Sequence, residues 1–101
     1  MAIARSDVSA DDDRVRVTMF TFEDGDETGD HRHQYDYIVV PITGGTFEVT
    51  DRDGTGRTLE QTAGLPYRGR EGTDHNVVNR SGRTAIFVEI ELKRRSPAAA
   101  S

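Results

Sequence analysis

Short segments in which apolar and polar residues alternate, separated by glycine-containing turns, run through most of the chain. In residues 14–22, two valines and Met19 share one face of a strand, and Thr18 and two phenylalanines share the other. Similar segments follow at 35–42, 46–50, 57–61, 75–79 and 84–93, and a brief extended piece is expected at Tyr67. No segment between 14 and 94 carries apolar residues at helical spacing. The pattern predicts an all-β chain.

Seven or eight short strands at regular spacing predict a β-sandwich or a small barrel. A chain of 101 residues is long enough for one such domain. We expect the domain to span residues 14–95 and a C-terminal tail to span 96–101. Residues 1–13 end in three aspartates and are expected to form a flexible acidic tail, with a short pairing strand near Ile3 or Val8 as the alternative.

The composition excludes several classes of protein. The net charge is -5, which argues against a binder of nucleic acid, because such a protein needs a basic face. Cysteine is absent, so the chain has no disulfides and no thiolate ligands. The N-terminus lacks the apolar region of a secretory signal, and no run of about 20 apolar residues could span a membrane. We therefore expect a soluble cytoplasmic protein.

The histidines are the candidate metal ligands. His31 and His33 are two residues apart, so on a strand they point the same way and can occupy adjacent corners of a coordination sphere. His75 is the third and last histidine of the chain. Neutral imidazole suits iron, copper, zinc and nickel better than magnesium or calcium. A fold that brings His75 to the other two histidines would build a three-nitrogen site with open coordination positions.

The spacing of the histidines and glycines resembles that of the cupin superfamily. The first cupin motif, G-x5-H-x-H-x3-E-x6-G, matches Gly25, His31, His33 and Gly44, with Tyr37 at the position of the glutamate. The second motif, G-x5-P-x-G-x2-H-x3-N, matches Gly64, Gly72, His75 and Asn79, with Arg70 at the position of the proline. The region around the first motif also looks like a subgroup of very small bacterial cupins, some of which are labelled as β-alanine-degradation proteins.

This resemblance implies a single double-stranded β-helix, or jelly-roll, barrel. It also implies that His31, His33 and His75 bind a divalent transition metal, with Fe, Mn, Ni and Zn as the candidates. The glycines of both motifs are expected to be turn formers, and Asn79 is expected to hydrogen-bond backbone near a turn.

Tyr37 is the candidate catalytic residue, because it stands where a carboxylate ligand is expected. It could bind the metal as a phenolate, stay protonated and donate a hydrogen bond to a water or substrate on the metal, or simply fill the barrel. We favour the protonated donor. If one strand ran on from the histidines, Tyr37 would share their face, whereas Gln34 and Asp36 would point outward.

Two classes of function fit this site. The first is a metal-dependent enzyme acting on a small polar or anionic metabolite: a dioxygenase-like enzyme, an isomerase or a decarboxylase. The second is a non-catalytic cupin that binds a metal or small molecule as a sensor or accessory protein. No inward carboxylate is expected beside the histidines to act as a general base. Arg70 precedes His75 and is the candidate partner of a substrate carboxylate.

Several strands carry apolar residues on both faces. In residues 14–22 three apolar residues share one face, and Phe20 and Phe22 lie on the other. In the last strand Ile86, Val88, Ile90 and Leu92 form an apolar row, and Glu89 and Glu91 a polar one. A strand with two apolar faces needs a second surface to cover it. We therefore expect a homodimer.

Overall fold

A computed structural model describes residues 2–93, which form nine strands in two antiparallel sheets. The strands are β1 (Arg5–Asp11), β2 (Val15–Phe22), β3 (His31–Arg32), β4 (Asp36–Pro41), β5 (Gly45–Asp51), β6 (Gly56–Gln61), β7 (Tyr67–Gly69), β8 (Asp74–Asn79) and β9 (Ala85–Leu92). One sheet has the order β1-β2-β9-β4-β7 and the other β3-β8-β5-β6. The prediction of an all-β fold is confirmed. Within residues 2–93 no helix is long and apolar enough to cross a membrane.

Phenylalanines from both sheets form the centre of the core. Phe22 and Phe47 are fully buried, and their rings meet edge to face with centroids 5.3 Å apart. Phe87 lies 5.3 Å from Phe22 and 5.8 Å from Phe47, so β2, β5 and β9 are joined through three rings. Aromatic pairs at these distances add to the free energy gained from burial alone. The two sheets are therefore packed face to face around this cluster.

The inner face of β9 is the more polar one. Phe87 is buried in the core, and strand alternation places Glu89 and Glu91 on the same inner face. The row Ile86, Val88, Ile90 and Leu92 lies on the outer face of the five-stranded sheet. The outer face of β9 is therefore the apolar one, although apolar residues normally lie on the face that packs against the core.

The N-terminal segment is a strand, and the prediction of a flexible tail is wrong for residues 5–11. All seven residues of β1 are exposed, but they pair along β2 from Arg5 opposite Thr21 to Asp11 opposite Arg16. Main-chain hydrogen bonds to an open sheet edge hold a strand whatever its side chains, which is why the polar composition was misleading. The alternative of a pairing strand near Val8 is the one found. The C-terminal tail expected at 96–101 lies outside the described residues.

The chain changes sheets between the histidines and Tyr37. The strand β3 pairs with β8 in one sheet, whereas β4 pairs with β7 and β9 in the other. A single strand running through this segment is therefore not found. Because of the crossing, His31 and His33 approach the sheet that carries His75, and Tyr37 approaches them from the opposite sheet.

Candidate metal centre

The two sheets bring the three histidines together although His75 is more than forty residues from the others in the chain. His31 lies directly opposite His75 in the antiparallel pair of β3 and β8. His33 follows β3, and its main-chain N–H donates to the carbonyl of Thr73 at 2.8 Å. The N–H of Gly72 donates to the carbonyl of His33, also at 2.8 Å. These bonds attach the loop before β8 to the first histidine pair.

The imidazole nitrogens converge at the spacing of metal ligands. The Nε2 atoms of His31 and His33 are 3.0 Å apart, and those of His33 and His75 are 3.3 Å apart. With metal–nitrogen bonds of about 2.1 Å, adjacent ligands lie about 3.0 Å apart in an octahedron and about 3.4 Å apart in a tetrahedron. The three side chains form one group whose ligand atoms all lie within 4.8 Å of one another. The donor set therefore fits a divalent transition metal.

The second nitrogen of each ring has a different environment. The Nδ1 of His31 lies 2.9 Å from the carbonyl oxygen of Gly29, so it carries a proton and leaves Nε2 free to bind a metal. The Nδ1 of His33 lies 4.0 Å from a carboxylate oxygen of Glu89. The Nδ1 of His75 is buried and has no hydrogen-bond partner within the described residues.

Burial keeps His33 and His75 neutral. Burial, together with the neighbouring charges of His31 and His75, lowers the pKa of His33 from 6.5 to about 3. Burial and the charges of His31 and Arg57 lower the pKa of His75 to about 4, although Asp51 and Asp74 act in the opposite direction. A neutral imidazole has the lone pair that a metal requires. At neutral pH these two side chains are therefore ready to bind a metal without first losing a proton.

Tyr37 packs flat against one of the candidate ligands. Its ring stacks on His33 with centroids 3.8 Å apart and an angle of 17° between the planes. Burial, and to a smaller extent the charge of Glu89, raises the pKa of Tyr37 to about 12, while a hydrogen bond with the Thr73 side chain acts against this. The phenol therefore stays protonated at neutral pH. Its position beside His33 agrees with the expected one, whereas its role stays a prediction.

Glu89 is the residue that the sequence reasoning missed. It pairs with Thr18 on one side and Val39 on the other, and both of these are buried. Its side chain is 12% exposed and faces His33. Burial and the charge of Glu91 raise the pKa of Glu89 to about 7. The expectation that no carboxylate faces inward beside the histidines is therefore wrong. The sequence contains one signal for this, which is Phe87. A phenylalanine two residues before Glu89 lies on the same face of the strand, so packing of Phe87 in the core turns Glu89 inward as well.

Several smaller expectations are confirmed. Gln34 and Asp36 are exposed, and Asp36 accepts a hydrogen bond from the main-chain N–H of Glu71. Asn79 is fully buried and donates to the carbonyls of Phe22, Glu23 and Arg83 at 2.7–3.2 Å. This asparagine is therefore structural. All four glycines of the two motifs have a positive φ, as turn formers do; they are Gly25, Gly44, Gly64 and Gly72.

The histidines face a cavity between the sheets of about 930 Å³. Its apolar wall includes Val39, Val49 and Phe87, and its polar lining includes the histidines, Tyr37 and Glu89. A cavity of this size accommodates a small organic molecule. The site therefore combines three convergent nitrogen ligands, one protonated phenol, one carboxylate and space for a ligand.

Comparison with known proteins gives the family. No family model matches the chain. The chain is 43% identical over 86 residues to the β-alanine degradation protein BauB of Pseudomonas aeruginosa, covering 85% of this chain and 90% of that protein. The crystal structure of a cupin domain from Bordetella pertussis superposes with a TM-score of 0.88 and 43% identity, covering 92% of this chain and 96% of the other.

A more distant structure extends the likeness of the fold. An RmlC-like cupin with a double-stranded β-helix fold from Methanocaldococcus jannaschii has a TM-score of 0.75 at 11% identity, covering 92% of this chain and 83% of the other. At that identity the likeness concerns the fold alone. The family follows from the two motifs, the two sheets and the two relatives of 43% identity, and the likeness of fold agrees with it. The chain belongs to the cupin superfamily and has its double-stranded β-helix fold.

Proposed function

We propose that this cupin is a metal-dependent enzyme that acts on a small polar or anionic metabolite at the three-histidine site. The observation that carries the proposal is the convergence of three Nε2 atoms, 3.0 and 3.3 Å apart between neighbours, at the wall of a cavity of about 930 Å³. A protein that only stored a metal would not need the cavity. Ligands on one side of the ion leave room for a substrate on the other.

The proposed ion is Fe, Mn, Ni or Zn, and the proposed reaction is dioxygenase-like, or else an isomerisation or decarboxylation. A bound ion of this kind would supply Lewis acidity, and iron or manganese would add redox chemistry. Three neutral histidines would leave its charge of 2+ uncompensated, because Tyr37 replaces the glutamate of the usual motif. This charge favours an anionic substrate.

Two side chains beside the histidines, Tyr37 and Glu89, are proposed to act on the substrate. Tyr37 is a neutral phenol, and we propose that it donates a hydrogen bond to the substrate from the face of His33. Glu89 is a largely buried carboxylate with an oxygen 4.0 Å from Nδ1 of His33, and we propose that it accepts a proton from the substrate. The apolar wall of Val39, Val49 and Phe87 lowers the effective dielectric constant beside these groups, which strengthens both interactions.

The name of the Pseudomonas relative supports a place for this chain in the breakdown of β-alanine or of a similar short acid. That relative is 43% identical over 85% of the chain. The substrate of such a step would carry a carboxylate, which agrees with the preference for an anion proposed above. The expected ligand is therefore a short carboxylic acid rather than a sugar or a nucleotide.

Turnover of metal-loaded protein tests the proposal. Protein loaded anaerobically with Fe(II), and separately with Mn(II), Ni(II) and Zn(II), is given β-alanine, other short carboxylic acids and small diketones, and oxygen uptake and products are followed. We expect turnover with at least one ion, and none after His75→Ala. Metal binding without turnover in any combination would favour the alternative, a non-catalytic cupin that acts as a sensor or accessory protein.

We also infer that the protein is a homodimer. The outer face of the five-stranded sheet carries nine apolar side chains; they are Val15, Val17, Met19, Ile38, Val40, Ile86, Val88, Ile90 and Leu92. Register brings them together, since Ile90 lies between Val17 and Ile38, and Val88 lies between Met19 and Val40. A second copy of the same apolar rows, related by a two-fold axis, is the proposed cover.

A further inference from the structure

Five arginines line the cavity beside the histidines, in a chain whose net charge is -5. They are Arg16, Arg32, Arg57, Arg68 and Arg70. An arginine can recognise a carboxylate through two parallel hydrogen bonds, provided that its side chain faces the ligand and has free donors. Strand register and existing contacts decide which of the five meets both conditions.

Register turns Arg57 toward the cavity. Arg57 lies directly opposite Val49 in the pair of β5 and β6, and Val49 is fully buried in the core. Residues directly opposite each other in an antiparallel pair point to the same side of the sheet. Arg68 is opposite Ile38 on the outer face of its sheet, and Arg32 alternates with the two inward histidines. Arg70 lies exposed on the loop after β7.

Of the two arginines that register turns inward, Arg16 is already engaged. Its guanidinium donates to both carboxylate oxygens of Glu91, at 2.6 and 2.9 Å. Arg57 has a single contact, from Nε to a carboxylate oxygen of Asp51 at 3.3 Å, and its side chain is 49% exposed. Within the described residues its two terminal nitrogens have no hydrogen-bond partner. Arg57 can therefore bind a ligand without giving up an existing contact.

The charge of Arg57 acts on groups that belong to the site. It lowers the pKa of His75 on β8, of Tyr37 on β4 and of Tyr67 on β7, in each case as one of several contributions. Asp51, which holds Arg57, lies directly opposite His75 in the pair of β5 and β8. The guanidinium is therefore held beside the histidines rather than directed away from the cavity.

We propose that Arg57 binds the carboxylate of the short acid that occupies the cavity, and so selects acids over neutral molecules of the same shape. This inference rests on the proposed function, because it assigns an anchor to the substrate of the same site. It also replaces Arg70, the candidate named from the sequence, as the partner of that carboxylate. The polar group at the other end of the acid is then left to face the histidines.

Calorimetric titration of zinc-loaded protein tests the assignment. The probes are glycolate, 3-hydroxypropanoate and 4-hydroxybutanoate, each compared with its neutral amide at low ionic strength. In Arg57→Gln we expect the affinity for the best of the three acids to fall about tenfold, with the affinity for its amide unchanged. The matched control is Arg52→Gln, because Arg52 is 83% exposed and makes a similar ion pair with Asp74 at 4.0 Å outside the cavity. This control should bind as wild type does.

Three results would overturn the inference: none of the acids binds wild type, Arg57→Gln weakens acid and amide equally, or Arg57→Gln loses zinc. The last would make Arg57 a part of the metal site instead of a substrate anchor. The same titrations on protein treated with a chelator measure how much Arg57 contributes to the affinity for the acid in the absence of a metal. A failure of the metal site itself would appear separately, as wild type that holds no zinc.

Discussion

At the scale of single residues, the position of Tyr37 depends on a glycine in the neighbouring strand. Gly69 lies directly opposite Tyr37 in the pair of β4 and β7. A Cβ at Gly69 would lie 1.9 Å from Cζ of the tyrosine ring, so only glycine leaves room for it. The stacking of Tyr37 on His33 therefore requires a residue that lies at an unmarked position of the second motif.

The change Gly69→Ala tests this dependence. We expect it to displace the tyrosine ring and to lower the free energy of unfolding by about 1–3 kcal/mol, measured by urea denaturation. The control is Gly56→Ala, because a Cβ at Gly56 meets nothing within 4 Å. The double change Tyr37→Ala with Gly69→Ala should show no further cost from the added methyl group. Equal stability of Gly69→Ala and Gly56→Ala would show that Tyr37 does not occupy this space.

Residue patterns predicted the candidate ligands better than their surroundings. The two motifs identified three histidines that the structure brings within bonding distance of one ion, and the glycine turns were where spacing placed them. Glu89 was missed because its strand has an apolar row as well as a polar one, and alternation alone does not say which row faces inward. Only the core aromatic Phe87 distinguishes the two faces, and it does so through packing that involves the other sheet.

At the scale of strands, the site depends on the place where the chain changes sheets. Alternation along a strand placed Tyr37 on the face of the histidines, and both His33 and Tyr37 are buried, although the two lie in different segments rather than on one strand. It did not predict the crossing between β3 and β4, or the pairing of β1, because both depend on hydrogen bonds to distant segments. The crossing has an energetic consequence as well, since it buries His33 and His75 with their rings in contact.

Burial of these histidines makes the stability of the metal-free protein depend on pH. In the fold the pKa values of His33 and His75 are about 3 and about 4, whereas in the unfolded chain both lie near 6.5. Below pH 6.5 the unfolded state therefore binds more protons at these residues, and the free energy of unfolding falls as pH falls. Glu89 opposes one of the two, because its pKa of about 7 lets the folded state hold a proton above pH 4.5.

The expected result is a lower urea midpoint at pH 4.5 than at pH 6.5, with a chelator present throughout. The variant with His33→Gln and His75→Gln should lose this fall, since glutamine does not titrate. Because Glu89 still titrates in it, its midpoint at pH 4.5 should be no lower than at pH 6.5. Asp12 and Asp53 do not interfere, because their pKa values are lowered from 3.8 and lie below this interval. An unchanged midpoint in wild type, or the same fall in the double variant, would contradict the account.

At the scale of the whole molecule, the two faces of the five-stranded sheet carry different side chains. The inner face packs on the phenylalanine core and carries Glu89, Glu91 and Arg16 at the cavity. The outer face has its apolar rows on β2, β4 and β9 at the middle of the sheet, and the polar β1 lies at one edge. Apolar area with a polar border is typical of an interface between subunits.

The change Ile90→Lys tests the proposed dimer, because Ile90 lies at the centre of this face. A buried charge there should convert a dimer of twice 11.2 kDa into a monomer, measured by light scattering on a sizing column. Leu65→Lys is the control, since Leu65 is 64% exposed outside this face, and it should leave the mass unchanged. A wild-type protein that is monomeric, or an Ile90→Lys variant that stays dimeric with native circular dichroism, would refute the proposed interface.

The metal content of purified protein is the most direct test of the three-histidine site. Elemental analysis compares wild type with His75→Ala, with Tyr37→Phe and with Asn76→Ala, which changes the neighbouring residue of β8 and leaves the histidines in place. We expect about one first-row transition metal per chain in wild type, Tyr37→Phe and Asn76→Ala, and little metal in His75→Ala. Loss of metal in Tyr37→Phe would make the tyrosine a ligand. Equal metal in wild type and His75→Ala would contradict the site itself.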